Sequence, residues 1–313
     1  LCDIFETLSP GDLKKNLVIS SDLGGSCGLN TVGKRFPELY RKAGVMERNS
    51  FATAAGFGSR EGYQGIMGTF SAFSEMIISE TSMARLNDAN VIAHFSHAGI
   101  DEIVDNTCHF GINIFFVDNG FAENDTTRLY FPADPHQLKA VMQKVFNNRG
   151  LRFIFSTRSG VPNILKEDGS SFFDMESGYR FEPGKDEMIR EGSAGYVISY
   201  GEMLYRALDA VETVRKEGID VGLVNKPTLN VVDENMMKIT GQSSFVLVVE
   251  TQSVKSGLGS RFGSWLLEKG HSPLFSSMGT VRKGGGGLQE QIPFQGLDTG
   301  DIAEKIRRLA RKS

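Results

Sequence analysis

Short apolar runs alternate with helix-length segments along this chain, and that alternation constrains its fold more than any other feature. Residues 17–20, 65–69, 91–95, 112–117 and 152–156 read as strands. Between them, residues 47–61 and 70–86 read as helices, and Asp134-Pro135 opens a third, since proline at the first helical position is already set for the turn. A strand that is apolar throughout is buried on both faces, so helices must cover the sheet from both sides. Strand and helix in alternation then predict a doubly wound, mainly parallel sheet. The same pattern resumes later in the chain. Residues 195–199, 221–224 and 245–250 read as strands, and 202–216, 261–269 and 301–311 as helices. Between these units, Lys166-Glu167-Asp168-Gly169-Ser170-Ser171 and Glu182-Pro183-Gly184-Lys185 break the periodicity as a connector does. The expected architecture is α/β, with two doubly wound domains at 1–165 and 193–313 joined by a linker at 166–192. The length of 313 residues is enough for two cores.

Composition narrows the partners. The net charge is −4, and Lys and Arg are scattered apart from a small cluster at Lys305, Arg307, Arg308, Arg311 and Lys312. That cluster reads as a solvated helix end, so no nucleic acid is expected. No apolar run has the length of a membrane span, so no membrane partner is expected either. Cys2, Cys27 and Cys108 are too few and too widely spaced for a disulfide framework or a CxxC metal site. Their odd number fits a reducing, cytoplasmic compartment. The start, Leu1-Cys2-Asp3, has no basic leader region, and a chain that begins with Leu is expected to be a fragment, a processed chain or a separate subunit.

Chemistry-bearing residues concentrate in the first unit. Glu47 opens an Ala- and Phe-rich helix, where the helix dipole favours an acid. Phe70, Phe73 and Met76 are spaced to share one face, either as core or as the wall of a pocket. His97 follows the strand at 91–95, with Asp105 and His109 after it. A metal site built from His94, His97, Cys108 and His109 is disfavoured, because side chains alternate along a strand and His94 points away from His97. Asp22 and Ser26 lie in the loop after the first strand, and Arg158 follows the last strand of the unit.

These residues occur in an order that resembles the transketolase family. Asp22-Leu23-x-x-Ser26 matches the loop after the family's first strand, and Val45-x-Glu47 its "IRE" segment. Gly68-Thr69-Phe70-x-x-Phe73 matches "GTFxxF", Ser96-His97 matches "THDS", and Asp105 to His109 stand where the family has "DGPTH". Tyr130 to Asp134 match "RPAD", and Ser156-Thr157-Arg158 matches "LSR". The resemblance covers nearly the whole chain and is strongest before residue 165. It implies a pyrimidine-binding domain followed by a transketolase C-terminal domain. It also implies thiamine diphosphate as cofactor, with Glu47 as the carboxylate that activates the aminopyrimidine ring. Phe70, Phe73, Met76 and Asp22 would line the cofactor. His97, Asp105, His109, Ser26 and Arg158 would bind a sugar phosphate, with His97 and His109 catalytic.

Several features depart from the family pattern. Ala98-Gly99 stands where the family has Asp-Ser, Asn106-Thr107-Cys108 replaces Gly-Pro-Thr, and Met76 replaces a tyrosine. The family's "GDG" run and later Asn, which hold Mg2+ or Ca2+ and the diphosphate, have no counterpart here. The resemblance therefore implies the C-terminal part or small subunit of a transketolase, working as a homodimer or with a diphosphate-binding domain or subunit. Two other readings stand beside it. One is a 1-deoxy-D-xylulose-5-phosphate synthase or 2-oxo acid dehydrogenase β-type subunit. The other is a non-catalytic dimerisation or regulatory paralogue.

Overall fold

The computed structural model describes residues 1–100, 109, 111–120, 126–282 and 288–312. The first unit begins with two single-turn helices, α1 (Cys2–Phe5) and α2 (Pro10–Leu13). There follow β1 (Asn16–Ser20), α3 (Asn30–Arg35), β2 (Tyr40–Lys42), α4 (Glu47–Gly58), β3 (Gln64–Phe70), α5 (Ile78–Leu86), β4 (Val91–Ser96), β5 (Arg128–Tyr130), α6 (Pro135–Val145) and β6 (Leu151–Phe155). The six strands form one all-parallel sheet in the order β2-β1-β3-β4-β6-β5.

The second unit runs β7 (Glu187–Arg190), β8 (Gly195–Ser199), α7 (Leu204–Lys216), β9 (Val221–Asn225), α8 (Glu234–Gly241), β10 (Phe245–Ser253), α9 (Leu258–Glu268), β11 (Leu274–Thr280), α10 (Leu288–Phe294) and α11 (Thr299–Ala310). Its sheet order is β11-β10-β8-β9-β7, parallel except for the edge strand β7. The expected two-sheet α/β architecture is therefore present.

Three expectations are corrected. Residues 112–117 are not a strand: Ile114–Asp118 is a 3-10 helix. A short apolar run cannot by itself distinguish a buried strand from a buried turn, and here Ile114, Phe115 and Val117 are buried in one hydrophobic core with Tyr200 and Trp265 of the second unit. Residues 70–86 are not one helix either. Phe70 ends β3, Ser71–Ile77 is a 3-10 helix, and only then does α5 begin. Finally, residues 187–190 of the expected linker are β7, whose short, mixed sequence gives no apolar signal.

Helix α4 is seated on β3 by backbone contact. Ile66, Gly68 and Phe70 point to one face of the sheet, and Gly65, Met67 and Thr69 to the other, as strand alternation requires. A Cβ at Gly65 would overlap the backbone of Ala54, so nothing larger than hydrogen fits between helix and strand. Met67 packs with Phe51 and Ala54 in the same core. The buried residues of α4 (Glu47, Ser50, Phe51, Ala54, Ala55 and Gly58) form the stripe that faces the sheet. Ser50 and Ser21 are joined by a hydroxyl hydrogen bond of 2.9 Å.

The two units share a core that runs from Phe51 and Phe153 to Tyr200, Val224 and Trp265. Residues of the second unit also cover the edge strand β5. Leu229 N donates to Leu129 O, Phe131 N donates to Pro227 O, and Asn230 Oδ1 accepts from Leu129 N. The open hydrogen-bonding edge of the first sheet is thereby satisfied.

Gly65→Ala should lower unfolding stability by about 1–3 kcal/mol, because the added methyl meets backbone that cannot rotate away. Urea denaturation should show a lower midpoint at unchanged slope.

Candidate functional site

The carboxyl ends of parallel strands leave a crevice where α/β proteins place their ligands. β1 leads into Asp22 and Ser26, β3 ends on Phe70, β4 leads into His97, and β6 leads towards Arg158. All of these candidate residues therefore lie at the same edge of the first sheet.

Glu47 is the first residue of α4 and is only 3% exposed. Thr69 Oγ1 donates to Glu47 Oε1 at 3.3 Å, and Thr69 is itself fully buried. A carboxylate can accept about four hydrogen bonds. Among the described residues this long one is its only hydrogen bond. Burying an acid at a helix N-terminus with so much acceptor capacity unused is costly unless a donor arrives. That observation fits an aminopyrimidine ring, which presents N–H groups to a carboxylate.

On the other face of β3, Phe70 and Phe73 stack with centroids 6.1 Å apart. Phe70 lies 3.9 Å from the ring centre of His97, tilted by 30°. His109 stands edge-on to both phenylalanines, at 6.0 and 6.1 Å. The register explains the pairing with His97: Phe70 sits opposite Ser96, and His97 is the next residue. His97 has a left-handed backbone, φ +60°, which is strained for a non-glycine residue and persists only where its surroundings enforce it. Asp22 shares that conformation at φ +63°.

His97 Nδ1 and Ser96 Oγ are 3.0 Å apart, and Ser96 Oγ lies 3.3 Å from the thiol of Cys27. Burial pushes the Cys27 thiol up, so it stays protonated. The Cys27–Ser96–His97 chain therefore fixes the orientation of the imidazole. Burial, then the nearby Arg158 and His109 charges, depress the His97 pKa to about 4, so the ring is neutral at pH 7.

His94 does not point away from this cluster as alternation along the strand suggested: it shares the face of Phe70 and Ser96, and the left-handed backbone of His97 turns that imidazole back over the same face. His94 bonds Ser156 Oγ at 2.9 Å, and burial lowers its pKa to about 4. Arg158 is exposed but close enough to act on His97. Asp22, Ser26 and Met76 are exposed, with Met76 at 47%. Met76 shares the period of three of the 3-10 helix with Phe73 but stays open to solvent. Asp105 lies outside the described residues, as do Asn106 to Cys108. The sequence reading missed Thr69, Ser96 and Cys27 as partners of the site. Ser96 is the chain neighbour of His97, whereas Thr69 reaches Glu47 and Cys27 reaches Ser96 only through the folded sheet. Among the described residues no group of three or more His, Cys, Asp or Glu could hold a metal ion. Among them, too, no helix is long and apolar enough to cross a membrane.

Comparison with known proteins matches this geometry to a family. Residues 11–163 match the transketolase pyrimidine binding domain, and residues 184–281 the transketolase C-terminal domain. The two matches account for most of the chain, which therefore belongs to the transketolase family as its C-terminal portion. A protein of Methanocaldococcus jannaschii named as a transketolase C-terminal section is 26% identical over 96% of this chain and 93% of its own length. Human transketolase is 21% identical over 95% of this chain, which spans only 46% of that enzyme. A solved structure described as a split gene transketolase, an inactive beta4 tetramer, superposes with a TM-score of 0.80. That comparison covers 96% of this chain and 94% of the other at 24% identity, and it establishes the shared fold.

The His97 C2 proton followed by NMR should titrate near pH 4, well below the free imidazole value of 6.5. The folded chain then binds fewer protons than the unfolded chain between these values. His97 therefore contributes stability that is present above about pH 6.5 and is lost as pH falls towards 4. Replacing His97 with Phe should flatten that part of the stability-versus-pH curve.

Proposed function

We propose that this chain supplies the pyrimidine-binding half of a thiamine diphosphate site and acts as the small subunit of a transketolase. In the complete enzyme a two-carbon ketol unit passes between sugar phosphates. The observation that carries this reading is Glu47, a buried carboxylate at a helix N-terminus with most of its acceptor capacity unused. Thiamine diphosphate supplies a nucleophilic carbon that the protein's own side chains lack.

Glu47 would accept a hydrogen bond from the pyrimidine ring and so set its protonation. Phe70 and Phe73 would give the ring an apolar wall, with Met76 at the rim and Asp22 beside it. His97, neutral at pH 7, would bond a ketose carbonyl or hydroxyl and exchange a proton with it. His109 faces the same two phenylalanines and would act on the same hydroxyls. Asp105 would accept a further sugar hydroxyl. Arg158 offers the forked donor that suits a terminal phosphate, with Ser26 completing its grip.

The diphosphate and its Mg2+ or Ca2+ are assigned to a partner domain or subunit. Support comes from the relative named as a C-terminal section and from the shared fold with a split-gene transketolase. Two copies of each chain would then complete the sites between subunits.

Mixing this chain with its diphosphate-binding partner should give ketol transfer from xylulose 5-phosphate to ribose 5-phosphate. Glu47→Gln, which keeps the shape and removes the charge, should lower kcat by about 10²-fold or more. Full activity in that variant would remove the role assigned to Glu47. Calorimetry of thiamine diphosphate with Mg2+ against this chain alone should detect only weak binding, and tight binding would place a diphosphate site in this chain.

A further inference from the structure

We propose that Glu202 and Thr251, both in the second domain, are positioning residues for the reaction: they clasp Gly99 and fix the neck of the loop that presents His97 and His109. This inference deepens the functional reading above and rests on it only for the purpose that the two histidines serve.

Residues 98–99, just after β4, and Gly111 meet at one point. Ala98 and Gly99 both form bridges with Gly111, and Gly99 N donates to Gly111 O at 2.9 Å. Ala98 N donates to Ser156 O at 3.0 Å, which ties the same neck to the end of β6. His97 thus adjoins the neck directly, and His109 is two residues from it along the chain.

The second domain closes over the neck. A Cβ at Gly99 would overlap both Glu202 Oε1 and Thr251 Oγ1. These two side chains are joined by a hydrogen bond from the Thr251 hydroxyl to the Glu202 carboxylate. Both are about 1% exposed. Gly99 also has φ +81°, a conformation that side-chain-bearing residues rarely adopt. Only glycine meets the two demands together. Beyond the neck, Ser253 N donates to Ile112 O at 2.9 Å, and Gln252 Oε1 accepts from Ile114 N at 3.2 Å. Three consecutive residues at the carboxyl end of β10 thus meet Gly99 on one side of the neck and Ile112 and Ile114 on the other.

A carboxylate removed from water is an expensive way to fill space. Val197, Leu247 and Val249 supply the apolar packing on that side of the second sheet. Glu202 is placed against the backbone of Gly99, two residues from His97. It stops the neck from relaxing towards the second domain and so keeps His97 pressed on Phe70.

The test uses the full chain without cofactor or partner. Thr251→Val removes the hydroxyl and keeps the shape, whereas Thr251→Ser keeps the hydroxyl. Two quantities are read by NMR: the His97 C2-proton titration and the exchange rate of the Gly99 amide. The charged and titratable groups that act on His97 are Arg158 and His109, and neither is substituted in any variant. In the wild type and in Thr251→Ser the titration should stay near pH 4, with a slowly exchanging Gly99 amide. In Thr251→Val the titration should move up by about one pH unit or more towards the free value. Gly99 exchange should rise at least about tenfold. Thr251→Ala serves as the second variant if Thr251→Val does not fold. A hydroxyl-free variant that is folded yet leaves both readouts unchanged would overturn the proposal. Absence of ketol transfer in the mixture with the diphosphate-binding chain, alongside the shifted readouts, would count against the functional reading and leave the clamp standing.

Discussion

The contact between α4 and β3 at Gly65 is the one on which the geometry of the site depends. Helix and strand run in opposite directions there, backbone against backbone. From Gly65 to Thr69 the strand climbs about 13 Å at its usual rise per residue. From Ala54 back to Glu47 the helix covers about 10 Å. The two distances nearly cancel, so fixing Ala54 on Gly65 delivers Glu47 to Thr69 at the top of the sheet. A larger residue at 65 would lift the helix and draw the acid away from its threonine. The site's acid is thus placed by a missing side chain four residues below its partner.

The same edge of the sheet gathers groups from both of its faces. Thr69 points towards α4 and Glu47, while Phe70, the next residue, points towards Phe73, His97 and His109. One dipeptide therefore separates the acid from the aromatic wall and belongs to both. The second domain supports this arrangement from outside, with Glu202 and Thr251 against Gly99. It seals the β5 edge, packs against Phe115 and Phe131, and pairs Arg261 with Asp118 at 2.5 Å. In this arrangement the C-terminal domain frames the site and does not itself form it.

Much of this was legible in the chain. The buried parallel strands announce themselves as apolar runs because both faces are covered. The acid at the head of α4 stands out against its Ala- and Phe-rich neighbours. Asp134 caps α6, accepting from Gln137 N at 2.8 Å, as the Asp-Pro pair predicts. Other elements left no such trace. β2 is three residues of an exposed edge, Tyr40 to Lys42, and β7 is a mixed edge strand in a polar stretch. The run at 112–117 misled because burial by another domain makes a 3-10 turn as apolar as a strand. Partners such as Thr69 and Glu47, or Glu202 and Gly99, are 22 and 103 residues apart, and only the folded topology reveals them.

The central claim is that this chain brings an activating carboxylate to a cofactor held largely by another polypeptide. A crystal structure of the chain with its diphosphate-binding partner and thiamine diphosphate tests it most directly. The account predicts a Glu47 oxygen within hydrogen-bonding reach of the pyrimidine ring, about 2.6–3.2 Å, with the ring against Phe70 and Phe73. A pyrimidine ring bound elsewhere, with Glu47 still bonded only to Thr69, would contradict it.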